Sequence, residues 1–267
     1  MQKRTYTFGK IARSLLMSAA FIGGMLFLQV FFAVLFTAFK MGVTGGAPAD
    51  PDRLVQPVLI VSGLATVCGC MLFYRLRGES PFYSLALRPV RVRDMAPVVM
   101  LGVGMHMVIA LAFVFLPIPE EALTDYARAS EALEYGTPIL KAAASVLVAP
   151  LMEELVFRSL VLKHLRQAMP AWLAVLLSSL AFGAVHGNLL WMLYASVLGV
   201  LCALVYLKFD SVIPSILLHA GFNAAGMLLE ALNLRNTYLA VIVCLLFVLV
   251  SPVWIARIKP RRPPGAA

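Results

Sequence analysis

The chain has 267 residues, of which 61% are hydrophobic and 13% charged, with a mean hydropathy of +0.90. Soluble domains carry roughly 25% charged residues, so this composition excludes an ordinary soluble enzyme and describes a polytopic membrane protein. The formal charge of +9 calls for no nucleic-acid partner, because Lys and Arg collect in the loops on one side of a membrane.

Lys3, Arg4, Lys10 and Arg13 precede an uncharged stretch from Ser14 to Phe39. That run is too long for a signal-peptide core and lacks a small-residue cleavage site, so it reads as a first membrane span. A Gly/Pro/Asp loop, Lys40 to Arg53, leads to a second span over about Val55 to Tyr74. A basic loop with Arg75, Arg77, Arg88, Arg91 and Arg93 follows, and its stretch from Ser80 to Leu87 is expected at the membrane interface. The third span covers about Met95 to Leu116. The next loop is acidic, with Glu120, Glu121, Asp125, Glu131 and Glu134 against Arg128.

A fourth span begins near Pro138, carries Glu153 and Glu154, and ends before Met169-Pro170, since proline cannot continue a helix. The remaining spans are Ala171 to His186, Leu189 to Leu207, Ile213 to about Leu232, and Tyr238 to Ile255. Pro214 suits the first turn of the seventh. Eight spans put both termini on the side of the basic loops, expected to be the cytoplasm of a bacterial plasma (inner) membrane. The expected fold is therefore all-α, a polytopic membrane helix bundle of about eight transmembrane helices. Its expected division is 1–136 as an N-terminal three-helix membrane region, 137–256 as a helix-bundle core carrying the candidate site, and 257–267 as a basic cytoplasmic tail. Cys68, Cys70, Cys202 and Cys244 all lie in apolar runs and read as packing residues, with no disulfide framework implied.

The chemistry begins at Val148-Ala-Pro-Leu-Met-Glu-Glu-Leu-Val-Phe-Arg158. A charge inside a bilayer costs some kcal/mol, so two unpaired carboxylates would be hard to tolerate there. Arg158 lies one helical turn beyond Glu154 with the acid N-terminal, the favourable order, and the two are expected to pair. Glu153 points about 100° away around the helix and is left to face another partner. A free carboxylate in a dry site is what a general base requires.

Further polar groups recur at one-turn spacing: Phe182-Gly-Ala-Val-His186 in the fifth span and His219-Ala-Gly-Phe-Asn223 in the seventh. Gly183 and Gly221 remove bulk beside them, which lets backbone or substrate approach. A lone intramembrane His or Asn is often an interhelical hydrogen bond worth about 1 kcal/mol, and His106 and His164 take that reading. Glu153, Glu154, Arg158, His186, His219 and Asn223 form a set on three helices. It holds a base, a second acid–base group and hydrogen-bond donors, the parts needed to activate water and hold the oxyanion of an attacked amide.

Glu-Glu-x-x-x-Arg, Phe-x-x-x-His and His-x-x-x-Asn in this order, all in membrane spans, resemble the CPBP intramembrane proteases. These are the CAAX-prenyl endopeptidase and bacteriocin-processing (Abi) group, and the resemblance covers about Thr137 to Leu232. It implies a glutamic endopeptidase in which Glu153 and His186 activate water and His219 and Asn223 hold the oxyanion. Glu154 with Arg158 would support the site, and Phe182 belongs to the same motif set. The implied partners are the lipid bilayer and a peptide or protein substrate, which a membrane anchor could tether.

Two other functions compete: a proton-coupled transporter, which intramembrane Glu and His also mark, and a non-catalytic scaffold or immunity protein that keeps the fold. No internal repeat suggests the inverted halves of a transporter. Two His and a Glu could hold zinc, but Asn is a poor zinc ligand and no H-E-x-x-H helix is present, so no metal or other cofactor is expected, with zinc the alternative. At the helical rise Glu153 and His219 fall at similar depths, about 15 and 13 Å from the basic side, whereas His186 overshoots at about 24 Å.

Overall fold

Long apolar runs punctuated by charged loops give helices, because inside a bilayer a helix satisfies every backbone N–H and C=O within its own segment. The computed structural model describes residues 6–45, 50–232 and 238–259. Lys3, Arg4 and the tail arginines Arg261 and Arg262 lie outside the described residues. The elements are α1 (Phe8–Val43), α2 (Val55–Leu76), a one-turn α3 (Pro81–Ser84), α4 (Val92–Phe115), α5 (Glu120–Glu131), α6 (138–168), α7 (Ala171–Ala184), α8 (Leu189–Phe209), α9 (Ile213–Ala231) and α10 (Tyr238–Arg257). The chain is an all-α polytopic membrane bundle. By length and composition five of the described helices, α1, α2, α4, α8 and α10, are able to cross a membrane, and α7 and α9 are shorter apolar helices.

Helix α6 is the centre of the bundle. Every residue from Leu155 to Leu162, Arg158 included, is buried, and α1, α2, α7, α8 and α9 pack around it. Thr137 opens it as N-cap, accepting from the Leu140 N–H at 3.3 Å, with Pro138 in the first turn. It is not a uniform α-helix. Two π-helical stretches, Ala143–Val148 and Leu155–Leu162, flank the α-helical turns Ala149–Glu154 that carry the two glutamates. Such wide turns are uncommon and occur frequently at functional sites.

Around this axis α4 lies against α9 and α10, and α7 against α8. The α4–α9 crossing is so close that a Cβ on Gly102 would run into the Leu218 carbonyl oxygen. Likewise a Cβ on Gly183 of α7 would meet the Met192 carbonyl and the Ser196 hydroxyl of α8. Gly221, whose Cβ would lie 3.0 Å from the Val99 carbonyl oxygen, serves the same end. The small residues beside the histidines thus admit neighbouring backbone. Ser215 Oγ donates to the Cys202 carbonyl at 2.8 Å and joins α9 to α8.

Two connections differ from the sequence reading. The stretch expected at the interface divides along its length: Phe82 and Tyr83 are exposed, but Leu85 and Ala86 are buried in the bundle. Leu85 accepts from Ser159 Oγ at 2.6 Å and Ala86 from the Val212 N–H at 2.9 Å, so the loop is tied to α6 and α9 by its own carbonyls. The acidic loop contains a helix, α5, whose half-buried positions Ala122, Leu123, Tyr126, Ala129 and Ser130 follow the 3.6-residue period of an amphipathic surface helix. Tyr126 sets its ring edge-on to Phe113 of α4 and to Trp191 and Tyr194 of α8, which lays α5 across that end of the bundle.

Candidate active site

The two adjacent acids of α6 have opposite surroundings. Glu154 is fully buried and receives Arg158 Nε at 2.8 Å and Nη2 at 3.5 Å, one turn along the same helix. Glu153 opens into a cavity of about 560 Å³, its side chain 15% exposed against 0% for Glu154. The expected pairing of Glu154 with Arg158 is present. The other partner of Glu153 is His219, whose Nε2 lies 3.8 Å from Glu153 Oε2.

His219 serves both acids. Its Nδ1 donates to Glu154 Oε1 at 3.2 Å while Nε2 faces Glu153 and the cavity. A carboxylate on Nδ1 selects the tautomer and holds the ring plane. The imidazole thus lies between two carboxylates. Among the described residues no group of three or more His, Cys, Asp or Glu side chains has metal-holding geometry.

His186 stands just past the end of α7, in the turn to α8. Gly187 takes a positive φ of 74° there, and Asn188 caps α8 by accepting from the Leu190 and Trp191 N–H groups at 3.1 and 3.2 Å. The His186 Nδ1–H donates to the Phe182 carbonyl at 2.8 Å, which leaves the Nε2 lone pair free to accept a proton. Despite the overshoot in depth expected from residue counting, His186 lines the same cavity as Glu153, His219 and Asn223. The fourteen-residue α7 stops short of it and the turn carries it there.

Phe182 links these groups. Its ring lies 5.1 Å from His186, 5.6 Å from His219 and 5.1 Å from Phe157, all edge-on, and the Arg158 guanidinium sits 5.1 Å over its face. The ring thus holds both imidazoles by their edges and stabilises the guanidinium by cation–π attraction in a dry place.

Asn223 donates from Nδ2 to the Ser145 carbonyl at 2.7 Å. That carbonyl is available for a local reason. In the wide turn the Ala149 N–H bonds back to Ala144, five residues away, and the next residue, Pro150, has no N–H to offer Ser145. One Asn223 amide hydrogen is used this way and the other remains for a ligand.

Sequence reasoning set His106 apart, yet it lines this cavity too, its ring 5.2 Å from Phe222 and close under Gly226. Gln29 of α1 and Trp191 and Tyr194 of α8 also line it and were not singled out. Gln29 was visible as an amide side chain in the uncharged first span; the two aromatics gave no signal beyond ordinary packing. His164 keeps the bland role, donating from Nδ1 to the Leu160 carbonyl at 2.7 Å.

Residues 135–225, which carry Glu153, Glu154, Arg158, Phe182, His186, His219 and Asn223, match the family model of the Rce1-like type II CAAX prenyl endopeptidases. The matched segment covers about a third of the chain and holds the Glu-Glu-x-x-x-Arg, Phe-x-x-x-His and His-x-x-x-Asn motifs. Over 213 residues, 74% of this chain and 82% of the relative, it is 24% identical to a Bacillus subtilis (strain 168) protein named "Putative membrane peptidase YdiL". No solved structure matches the chain. By their descriptions both matches are to peptidases.

Proposed function

We propose that the chain is a glutamic intramembrane endopeptidase, hydrolysing a peptide bond with water activated by Glu153 and His186. The observation that carries this reading is that Glu153, His186, His219 and Asn223, from separate parts of the chain, all line one cavity, while Glu154 and Arg158 are sealed behind it. Glu153 is the acid open to the cavity and so the one able to meet a water. It takes a proton as the water oxygen attacks the carbonyl carbon. His186, with its Nε2 lone pair free, shares in that activation.

The carbonyl oxygen becomes an oxyanion as the C–O bond to water forms. Asn223 contributes its unused amide hydrogen to it, and His219, from its Nε2 side, is the second group that holds it. The proton held by Glu153 then passes to the leaving nitrogen as the C–N bond breaks, giving a carboxylic acid and an amine. Glu154, neutralised by Arg158, fixes His219 through Nδ1 and takes no proton. No metal enters this sequence. His219 offers its two nitrogens to opposite carboxylates, which suits proton chemistry and orientation.

The cavity is lined from α1, α2, α4, α6, α7, α8 and α9, and a peptide, free or anchored in the bilayer, is the substrate class it suits. Both termini and the basic loops are taken to face the cytoplasm of a plasma membrane. The test is cleavage of a peptide library by purified protein, with Glu153→Gln as the comparison and with chelator added. The expected result is cleavage by the unaltered protein, none by Glu153→Gln, and no effect of chelation. Loss of activity on chelation, restored by zinc, would replace this reading with a zinc enzyme. Absence of cleavage together with proton-coupled solute uptake in vesicles would replace it with a transporter.

A further inference from the structure

A second cavity, of about 500 Å³, lies at the end of the bundle where the basic segments gather, between the start of α1, the end of α2 and the end of α6. Lys10, Arg13, Arg77 and Lys163 line it, and Glu79 is the one carboxylate among the lining residues. That carboxylate is already engaged, receiving Arg77 Nε at 3.0 Å and Ser84 Oγ at 2.8 Å. Lys163 is held in place, donating to the Ser84 carbonyl at 2.7 Å with its ammonium 5.3 Å over the Tyr74 ring. The protein thus brings four cations into one cleft and supplies a single anion.

Gln167 and His164 are further polar residues of the lining. Ser14 and Tyr74 belong to its lining, and among the described residues the hydroxyls of both are buried without a hydrogen-bond partner. Buried hydroxyls are nearly always satisfied, so two beside the same cationic cleft point to a missing acceptor. We propose that this cleft binds a phosphate group, carried either by the headgroup of an anionic phospholipid or by free phosphate. A phosphate supplies both the negative charge and the acceptor oxygens. The first turns of α1 and the loop after α2 stand where a membrane-spanning bundle meets headgroups, and clustered Lys and Arg at that level attract anionic lipid.

Occupancy would act on the other cavity through α1. Lys10 and Arg13 sit at the start of the helix that supplies Met25, Leu26 and Gln29 to the wall around Glu153. An anion drawing them toward Arg77 and Lys163 clamps α1 onto α2 and α6.

The experiment reads binding on the protein itself and so does not depend on proteolysis. Melting temperature is measured in detergent with added phosphatidylglycerol, phosphatidylcholine, or inorganic phosphate at constant ionic strength. It is measured for the unaltered protein, for Lys10→Gln with Arg13→Gln, and for Arg91→Gln with Arg93→Gln, which removes equal charge outside the cleft. Saturating phosphatidylglycerol is expected to raise the melting temperature by roughly 5 °C or more, and phosphatidylcholine not to. That rise disappears in the Lys10/Arg13 protein and persists in the Arg91/Arg93 protein. The same pattern with inorganic phosphate would identify free phosphate as the source. A rise that phosphatidylcholine reproduces, that survives the Lys10 and Arg13 changes, or that vanishes equally in the control overturns the proposal, as does no rise at all.

Discussion

His219 reaches across 65 residues of chain to Glu154, placing Nδ1 3.2 Å from the carboxylate that also holds Arg158. One acid of the Glu-Glu pair is thus consumed in fixing a cation and an imidazole, and its neighbour is left open to the cavity. Two chemically identical side chains, adjacent in sequence, have thus acquired different surroundings.

The two acids should therefore fail in different ways. Glu153→Gln keeps shape and removes the base, so cleavage is lost while the melting temperature hardly changes. Glu154→Gln leaves the Arg158 guanidinium buried without its counter-charge, at about 3–5 kcal/mol. Pairing Glu154→Gln with Arg158→Gln recovers part of that stability. A double-mutant cycle on unfolding midpoints should give strong coupling for Glu154 with Arg158 and coupling near zero for Glu153 with Arg158. Should Glu153 prove the acid coupled to Arg158, the two assignments are exchanged.

Gly102 sets the distance between α4 and the helix that carries His219. Gly102→Ala forces its new methyl against the Leu218 backbone, next to His219, and should cost about 1–3 kcal/mol along with activity. Gly69→Ala, on α2 with nothing within 4 Å of the new methyl, should be neutral or slightly stabilising. Equal tolerance of both changes in a thermal melt would mean that the α4–α9 crossing has room to spare.

The helical spans were legible because each is a long apolar run and because charge collects between them. The Glu154–Arg158 pair was legible from one-turn spacing and the cost of a bare charge. What escaped depends on groups distant in sequence or on weak local signals. Helix α5 hides its apolar face behind Ala122, Ala129 and Ser130, which barely register as hydrophobic. That both acids meet the same imidazole follows from how α9 crosses α6, which no spacing reveals. His106 looked isolated because its neighbours in the cavity, Gly226 and Phe222, come from another helix more than a hundred residues away.

The side of the membrane on which each loop lies rests on the charge pattern alone. In a background lacking the four native cysteines, a membrane-impermeant thiol reagent applied to intact cells should label Asp125→Cys on α5 and spare Arg91→Cys at the basic end. The opposite pattern would place the basic cleft outside and reverse the orientation of the cavity.

Pro150 offers a subtler test, because its effect on the site is exerted through a hydrogen bond it cannot make. The Ser145 carbonyl accepts from Asn223 at 2.7 Å, and the wide turn has already committed the Ala149 N–H to Ala144. Pro150→Ala would supply a backbone N–H in register to take the Ser145 carbonyl, or would let the turn tighten to ordinary α-helix. Either way Asn223 loses its anchor. Helix stability should rise, since proline inside a helix is costly, so the melting temperature should stay level or increase. Catalysis should fall, because an oxyanion donor that wanders loses most of its value; removing such a donor outright costs about 10²–10³ in kcat. Asn223→Ala should show that full loss, and Pro150→Ala a smaller one with KM little changed. Combining the two should be no worse than Asn223→Ala alone, since the proline acts only through the amide. Additive losses in the double variant would mean that Pro150 shapes the glutamate turn independently of Asn223.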